Sequence, residues 1–283
     1  MLADRRVPSL RQMPYYAILV ALCAFTIGVL TWVVLGSLKS NIEIFSSPWS
    51  LPANPIANGI KNYSTAWTTA HLGGYFFNSV VVTGASVALI LAVAAPAAYV
   101  LARTTFIGRT ALSYYLIAGL GVPHVLIVVP LIVLMTDLKL INTLPGLLLV
   151  YSAVNVPFAV LLLTGFFRSL PQELEDAAAI DGASQFTTFV RVMLPIARPG
   201  IATAAVFSFV EVWNEFFLAL LLIQDGALRT MPLGIYSLKT AMTMTANWAG
   251  LYAGIVILIL PATVVFILLA DRMMSGLTLS AGK

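Results

Sequence analysis

Charge is what this sequence has least of. Asp, Glu, Lys and Arg make up 9% of its 283 residues, where soluble domains carry about 25%. So little charge cannot keep a surface in water, which excludes an ordinary soluble fold. Cysteine is almost missing. Cys23 stands alone, so no intrachain disulfide can form, and its apolar neighbourhood predicts a buried, inert thiol. Histidine occurs only at His71 and His124. No Ser–His pair or metal-ligand cluster is evident, which argues against an intramembrane enzyme and gives neither catalytic nor metal residues. There is no Gly-x-x-x-x-Gly-Lys-Ser/Thr phosphate loop, so the chain is not itself an ATPase. No dense Lys/Arg run suggests nucleic acid, despite a net charge of +4.

What fills the chain instead is apolar. Hydrophobic residues reach 60% and mean hydropathy is +0.97. A hydrocarbon layer about 30 Å thick takes about 20 apolar residues as helix. Six segments meet that length, at 14–36, 76–102, 112–135, 145–167, 201–223 and 249–270. Helix is required because lipid offers the backbone no hydrogen-bond partners. The expectation is an all-α membrane protein with six transmembrane helices. Arg5, Arg6 and Arg11 before the first segment resemble a signal peptide, but that segment is too long and lacks a cleavage site. It is read as a retained helix.

Lys/Arg placement sets the orientation. With the N-terminus inside, the inner segments hold Arg5, Arg6, Arg11, Arg103, Arg109, Arg168, Arg191, Arg198, Arg272 and Lys283, against Lys39, Lys61, Lys139, Arg229 and Lys239 outside. That bias predicts both termini in the cytoplasm. The domain reading is a cytoplasmic N-terminal segment at 1–13, a six-helix domain at 14–272 and a cytoplasmic tail at 273–283. Lys39–Gly74 is read as a solvated outer connector or a docking surface. Prolines 96, 123, 130, 157 and 261 predict kinks.

The inner loop at 169–200 carries the most information. Ser169-Leu170-Pro171-Gln172 has the form of a capping box with Pro in the first turn. A helix with three alanines follows, then Gly182, a short amphipathic stretch at Gln185–Val192, and Pro195 and Pro199. Alanines let a partner backbone approach closely, and Gly182 permits a sharp turn. Its acids, Glu173, Glu175, Asp176 and Asp181, oppose the basic face expected of a helix lying on headgroups. The loop should project as a stiff helix–turn–helix suited to a cleft in another protein.

Asp176-Ala177-Ala178, three residues, Gly182, nine residues, Val192, Met193, Leu194-Pro195 resembles the EAA loop of ABC importer permeases. That pattern is Glu-Ala-Ala, three residues, Gly, nine residues, Ile, one residue, Leu-Pro. The spacing matches throughout, with Asp176 for Glu and Val192 for Ile, while Glu175 stands one place earlier as a second candidate. Further stretches are similar to the carbohydrate-uptake branch: Asn78-Ser79, Ala98–Arg103, Leu140–Thr143, Trp213–Phe216 and Leu228–Gly234. The ending Gly276-Leu277-Thr278 is similar to the shorter permease of maltose-type systems.

This resemblance implies a type I ABC importer permease of the bacterial cytoplasmic membrane, taking up a sugar or related polar solute. Its implied partners are a homologous permease, two cytoplasmic ATPase subunits that hold the ATP and Mg, an external solute-binding protein and membrane lipid. It implies ATPase coupling at Glu175, Asp176, Ala177, Ala178, Asp181, Gly182, Ala183, Leu194 and Pro195, and a tail contact at Gly276, Leu277 and Thr278.

Polar residues inside the spans are candidates for the solute path, because charge facing lipid is costly. Glu211 and Glu215, four apart, share a helix face with Ala204 and Ser208, and Asn214 lies beside them. His124 and Asn155 are further candidates; each is equally readable as a structural group. Trp213, pointing away from the glutamates, is assigned to lipid or helix packing. The alternative function is an ion-coupled secondary transporter with Glu211, Glu215 and His124 as a relay, but no internal repeat is visible.

Overall fold

The computed structural model describes residues 13–245 and 247–281, and it is helical with no β-strand among those residues. Residues 1–12 of the expected N-terminal segment at 1–13 lie outside them, as does Lys283. The chain divides into two compact units, Met1–Ala70 with Leu238–Ile257 and His71–Ser237 with Leu258–Lys283.

The first unit begins with α1 (Met13–Ser37), whose buried residues are Gly36 and Ser37 at its end. Apolar side chains cover the rest and face outward, Cys23 among them. The expected buried thiol is therefore exposed, because the packing recorded on α1 falls near its end, where Trp32 meets Trp49 and Tyr252. The segment after α1, within the expected connector or docking surface at 39–74, is folded. Ser40 and Glu43 form a capping box on α2 (Asn41–Ser46). Glu43 also accepts the Ala53 N–H at 2.9 Å. The N–H groups of Ser40 and Ala53 together hold its carboxyl below the usual range. α3 (Pro55–Ser64) follows and continues into a π turn at Thr65–Thr69. Asn62 ties α3 to the end of α1, donating to the carbonyls of Ser37 and Lys39 at 2.9 and 2.8 Å. Lys39 is 2% exposed, and its ammonium is satisfied by the Ser47 and Pro48 carbonyls.

The second unit is built on α4 (Leu72–Arg103). After it come α5 (Arg109–Gly121), α6 (His124–Asp137) and α7 (Leu144–Ser169). α4 and α7 pack along most of their length through small residues. Ala94, Ala98 and Ala159 are fully buried, and they let Leu163 and Phe167 fill the seam. Close backbone approach of this kind is how helices associate where lipid offers no hydrophobic drive. The helices run unbroken through Pro96 and Pro157. The expected third span, 112–135, instead breaks at Val122–Pro123. Pro123 has no N–H to donate and forces Val122 into an extended conformation.

The loop at 169–200 forms α8 (Glu173–Ile180) and α9 (Gln185–Thr188). A π turn at Phe189–Met193 then leads into α10 (Leu194–Ile196). Ser169 does not cap α8, contrary to expectation. It ends α7 and donates its hydroxyl to the Phe166 carbonyl at 2.7 Å. Leu170, forced to extend before Pro171, separates the two helices. Ser184 is the cap, accepting the Thr187 N–H at the start of α9.

α11 (Arg198–Asn214) and α12 (Phe217–Leu222) replace the continuous helix expected at 201–223. α13 (Met231–Thr245) and α14 (Trp248–Ala281) complete the order, and α14 carries the helix through the expected tail. Trp213 is buried, stacks on Phe209 and donates Nε1–H to the Leu258 carbonyl at 3.0 Å, so it packs between helices. Among the described residues, four helices are long and apolar enough to cross a membrane, and the count rises to as many as six if two bent pairs, α5 with α6 and α9–α10 with α11, are each one span.

Candidate functional site

The loop geometry explains its motif. At the end of α8 the Ala183 N–H reaches the Ala178 carbonyl at 2.9 Å and the Gly182 N–H reaches the Ala179 carbonyl at 3.0 Å. These two bonds, with Gly182 at φ +74°, make a Schellman closure. The closure needs a residue that tolerates positive φ four places after Ala178, and Gly182 supplies it. The acids Glu173, Glu175 and Asp176 sit in the first turn, where the helix dipole favours negative charge.

The three alanines do not share a role. Ala178 is buried against its own chain, at 7% exposed. Ala177, Ala179, Asp181 and Gly182 are exposed, as is Asp176. Ile180 is 87% exposed and Phe186 75%. Ala183, Leu194 and Pro195 are half-buried. The two candidate acids also part company. Glu175 turns inward to Arg103, Oε2 to Nε 3.5 Å, while Asp176 faces out. The exposed residues of α8 and its turn are therefore Asp176, Ala177, Ala179, Ile180 and Gly182, of which Asp176 and Ala179 also edge the cleft described next. Behind the loop lies a cleft of about 470 Å³, lined by Tyr99, Arg103, Glu175, Asp176, Phe186 and Phe189 among others.

In the membrane layer, Glu211 and Glu215 do not share one helix face. α11 ends at Asn214, and Glu215 takes an extended conformation (φ −65°, ψ 125°). Its carboxylate accepts the N–H groups of Leu218 and Ala219 at 2.7 and 3.2 Å, opening α12. A carboxylate that satisfies two backbone donors costs less than one left unpaired beside lipid, and this favours the break. Tyr151 of α7 meets the same turn, its hydroxyl 3.5 Å from the Glu215 carbonyl. Asn155, one turn along α7, is half-buried and donates to the Tyr151 carbonyl at 2.8 Å. Glu211 and Asn214 are exposed on α11, with Asn214 donating to the Val210 carbonyl. The structure thus brings the Tyr151 hydroxyl to the Glu215 turn, keeps the Asn155 amide on its own helix and leaves Glu211 outward. Tyr151 carries no sequence signal that separates it from core aromatics. His124 opens α6; its side chain lies outside the described residues, as do those of Leu277 and Thr278, while Gly276 lies within α14.

A third constellation joins motifs far apart in sequence. Asn78 donates to the Ala227 and Arg229 carbonyls at 2.8 and 3.0 Å, and Ser79 accepts the Met231 N–H at 2.8 Å. Asn142, in the left-handed region at φ 56°, accepts the N–H groups of Gln224 and Asp225, both at 2.9 Å. The segment between α12 and α13 is thereby held from two sides.

Comparison with known proteins agrees with this architecture. The family described as "Binding-protein-dependent transport system inner membrane component" matches residues 94–277. The chain is 38% identical over 270 residues to the diacetylchitobiose uptake system permease protein NgcG of Streptomyces coelicolor, covering 95% of this chain and 87% of that one. It is 34% identical over 247 residues to the sulfoquinovosyl glycerol transport system permease protein SmoH of Agrobacterium fabrum, covering 87% and 85%. A crystal structure of a bacterial ABC transporter involved in import of the acidic polysaccharide alginate contains a chain of the same fold. Its TM-score is 0.78 at 20% identity, over 94% of this chain and 99% of that one. With its several apolar helices, the chain is a multi-pass membrane protein, and it belongs to the family of binding-protein-dependent transport system inner membrane components.

Proposed function

We propose that this chain is one of two homologous permease subunits of an ABC importer, that it takes up a sugar delivered by an external binding protein, and that ATP and Mg are held on two separate cytoplasmic subunits. The observation that carries the coupling role is the α8 turn, where a closed, stiff hairpin presents Asp176, Ile180 and Gly182 outward. An exposed Ile beside exposed alanines suits a shaped cleft in a partner better than water. The relatives named for diacetylchitobiose and sulfoquinovosyl glycerol uptake support a glycoside as solute. The chain crosses the membrane six times, with α5 and α6 forming one broken span and α11 and α12 another, and both termini are cytoplasmic. Exposed Glu211 and Asn214 on α11 line the solute path and accept or donate hydrogen bonds to sugar hydroxyls. Gly276, Leu277 and Thr278, at the inner end of α14, reach the ATPase pair.

The test is reconstitution of the full complex in liposomes with the binding protein outside and ATP within. Uptake of a labelled disaccharide that requires ATP and survives a proton uncoupler is the expected result. Uptake that stops with the uncoupler while ATP is maintained would instead assign an ion-coupled transporter. Deleting Gly276–Lys283 should lower coupled ATPase activity more than membrane insertion, and a truncated complex that transports like the parent would refute the tail contact.

A further inference from the structure

Arg103 closes α4 beside the loop that carries Gly182. Its Nη2 donates to the Leu170 carbonyl at 2.6 Å. Its Nε lies 3.5 Å from Glu175 Oε2, with both side chains mostly buried, at 12% and 18% exposed. Leu170 is the first residue beyond α7, and Glu175 lies in the first turn of α8. One planar guanidinium therefore joins the ends of three helices. A fork of fixed geometry can hold two acceptors at once, which a point charge cannot. The end of α4 is itself braced, because Arg109 Nε donates to the Leu101 carbonyl at 3.0 Å.

The joint spans open space. The cleft behind the loop runs between the end of α4 and α8–α9, and Arg103 and Glu175 both line it. Tyr99 and Phe189 meet across it as rings 5.0 Å apart. Ring contacts of this kind fix no single geometry, whereas a planar guanidinium holding two acceptors does. The ion pair is also not fully closed. Arg103 Nε and Glu175 Oε1 are buried and lack a hydrogen-bond partner.

We propose that Arg103 is a positioning residue for energy coupling, fastening the loop to α4 so that displacement of the loop moves the membrane helix. This rests on the reading of the loop as the ATPase contact. A buried ion pair is weak grounds for stability alone, so the informative quantity is solute taken up per ATP hydrolysed. A purely structural role would lower abundance and leave that ratio alone.

The experiment compares Arg103→Leu, Arg103→Lys, Glu175→Gln and the double variant Arg103→Leu/Glu175→Leu in the complete reconstituted complex. Each is assayed for ATPase co-purification, ATP hydrolysis and uptake. In Arg103→Leu the ATPase stays bound and uptake per ATP falls about tenfold, within the span of typical couplings between sites. Arg103→Lys recovers part of the ratio by keeping one of the two contacts. The double variant is no worse than Arg103→Leu, because the two residues act through one joint. An unchanged ratio in Arg103→Leu overturns the proposal. If that variant fails to accumulate, an unchanged ratio in Glu175→Gln overturns it. Ile180→Asp separates the two levels. If Ile180→Asp keeps the ATPase bound and transports like the parent, the loop assignment is at fault. If Ile180→Asp sheds the ATPase while Arg103→Leu keeps the parental ratio, only the Arg103 joint is at fault.

Discussion

The carboxylate of Glu215 accepts the backbone N–H of Leu218 at 2.7 Å, so an acidic side chain within the apolar layer serves as a helix cap. Its second oxygen takes the Ala219 N–H at 3.2 Å. Losing such a cap costs about 1–2 kcal/mol. Glu215→Ala should therefore lower the unfolding temperature in detergent, and Glu215→Gln should do so less, because the amide oxygen keeps one acceptor. Glu211 is exposed and has no such duty. Glu211→Gln should leave stability unchanged and alter uptake rate or solute preference. Equal melting of Glu215→Ala and the parent would remove the capping role.

Asn142 carries the segment after α12. Its side-chain oxygen holds two N–H groups, and its backbone sits at positive φ. Asn142→Ala loses both bonds and adds left-handed strain, together about 2–3 kcal/mol. Asn142→Asp keeps the acceptor and tolerates the conformation. Proteolysis at residues 223–230 should accelerate in the alanine variant and stay near parental rates in the aspartate variant. Similar cleavage of both would show that Asn78 and Ser79 hold the segment without Asn142.

The apolar segments are legible in the sequence because lipid leaves the backbone one solution, and a run of about 20 apolar residues reports it directly. Where a helix breaks is less legible, since that depends on which groups compete for backbone donors. Pro96, Pro157 and Pro261 pass inside continuous helices, whereas Pro123 ends one. The break at Glu215 has no proline at all. It arises because a carboxylate finds two N–H groups three and four residues ahead, and periodicity carries no trace of that. The turn at Gly182 is legible by spacing, which encodes the Schellman closure. Which alanine faces inward is not, because that depends on how α8 lies on the π turn at Phe189–Met193. Ser169 makes the same point: it suits an N-cap by sequence, but Leu170 extends before Pro171 and Ser169 ends α7 instead.

Gly234 lies under the ring of Tyr75, so a Cβ added there would overlap the ring. Gly84, also within a helix, has no atom within 4 Å of such a Cβ. Gly234→Ala should cost about 1–3 kcal/mol by overpacking, and Gly84→Ala should be neutral or slightly stabilising. Accumulation in the membrane and melting in detergent both read the difference. Tyr75→Leu in the Gly234→Ala background should recover part of the loss. Equal behaviour of the two alanine variants would mean that Tyr75 moves aside freely.

Gly182 separates backbone strain from contact at the coupling loop. It sits at φ +74°, and a Cβ there would meet nothing within 4 Å. Any effect of a substitution within this chain must then come from the backbone, at about 1–2 kcal/mol for a residue that resists the left-handed region. That is too small to unfold a packed helical domain and large enough to shift a stiff hairpin. Asn enters this region more readily than most residues, whereas a β-branched residue resists it strongly. Gly182→Val should accumulate in the membrane near parental levels, with the ATPase lost on purification or hydrolysing without uptake. Gly182→Asn should retain most of the uptake. Ala178→Trp probes something else: Ala178 is buried in its own chain, so that variant should disrupt the loop itself and expose it to protease. If Asn and Val at 182 are equally defective, bulk against the partner decides the outcome rather than φ. If both transport like the parent, the turn at Gly182 is not the mechanical link.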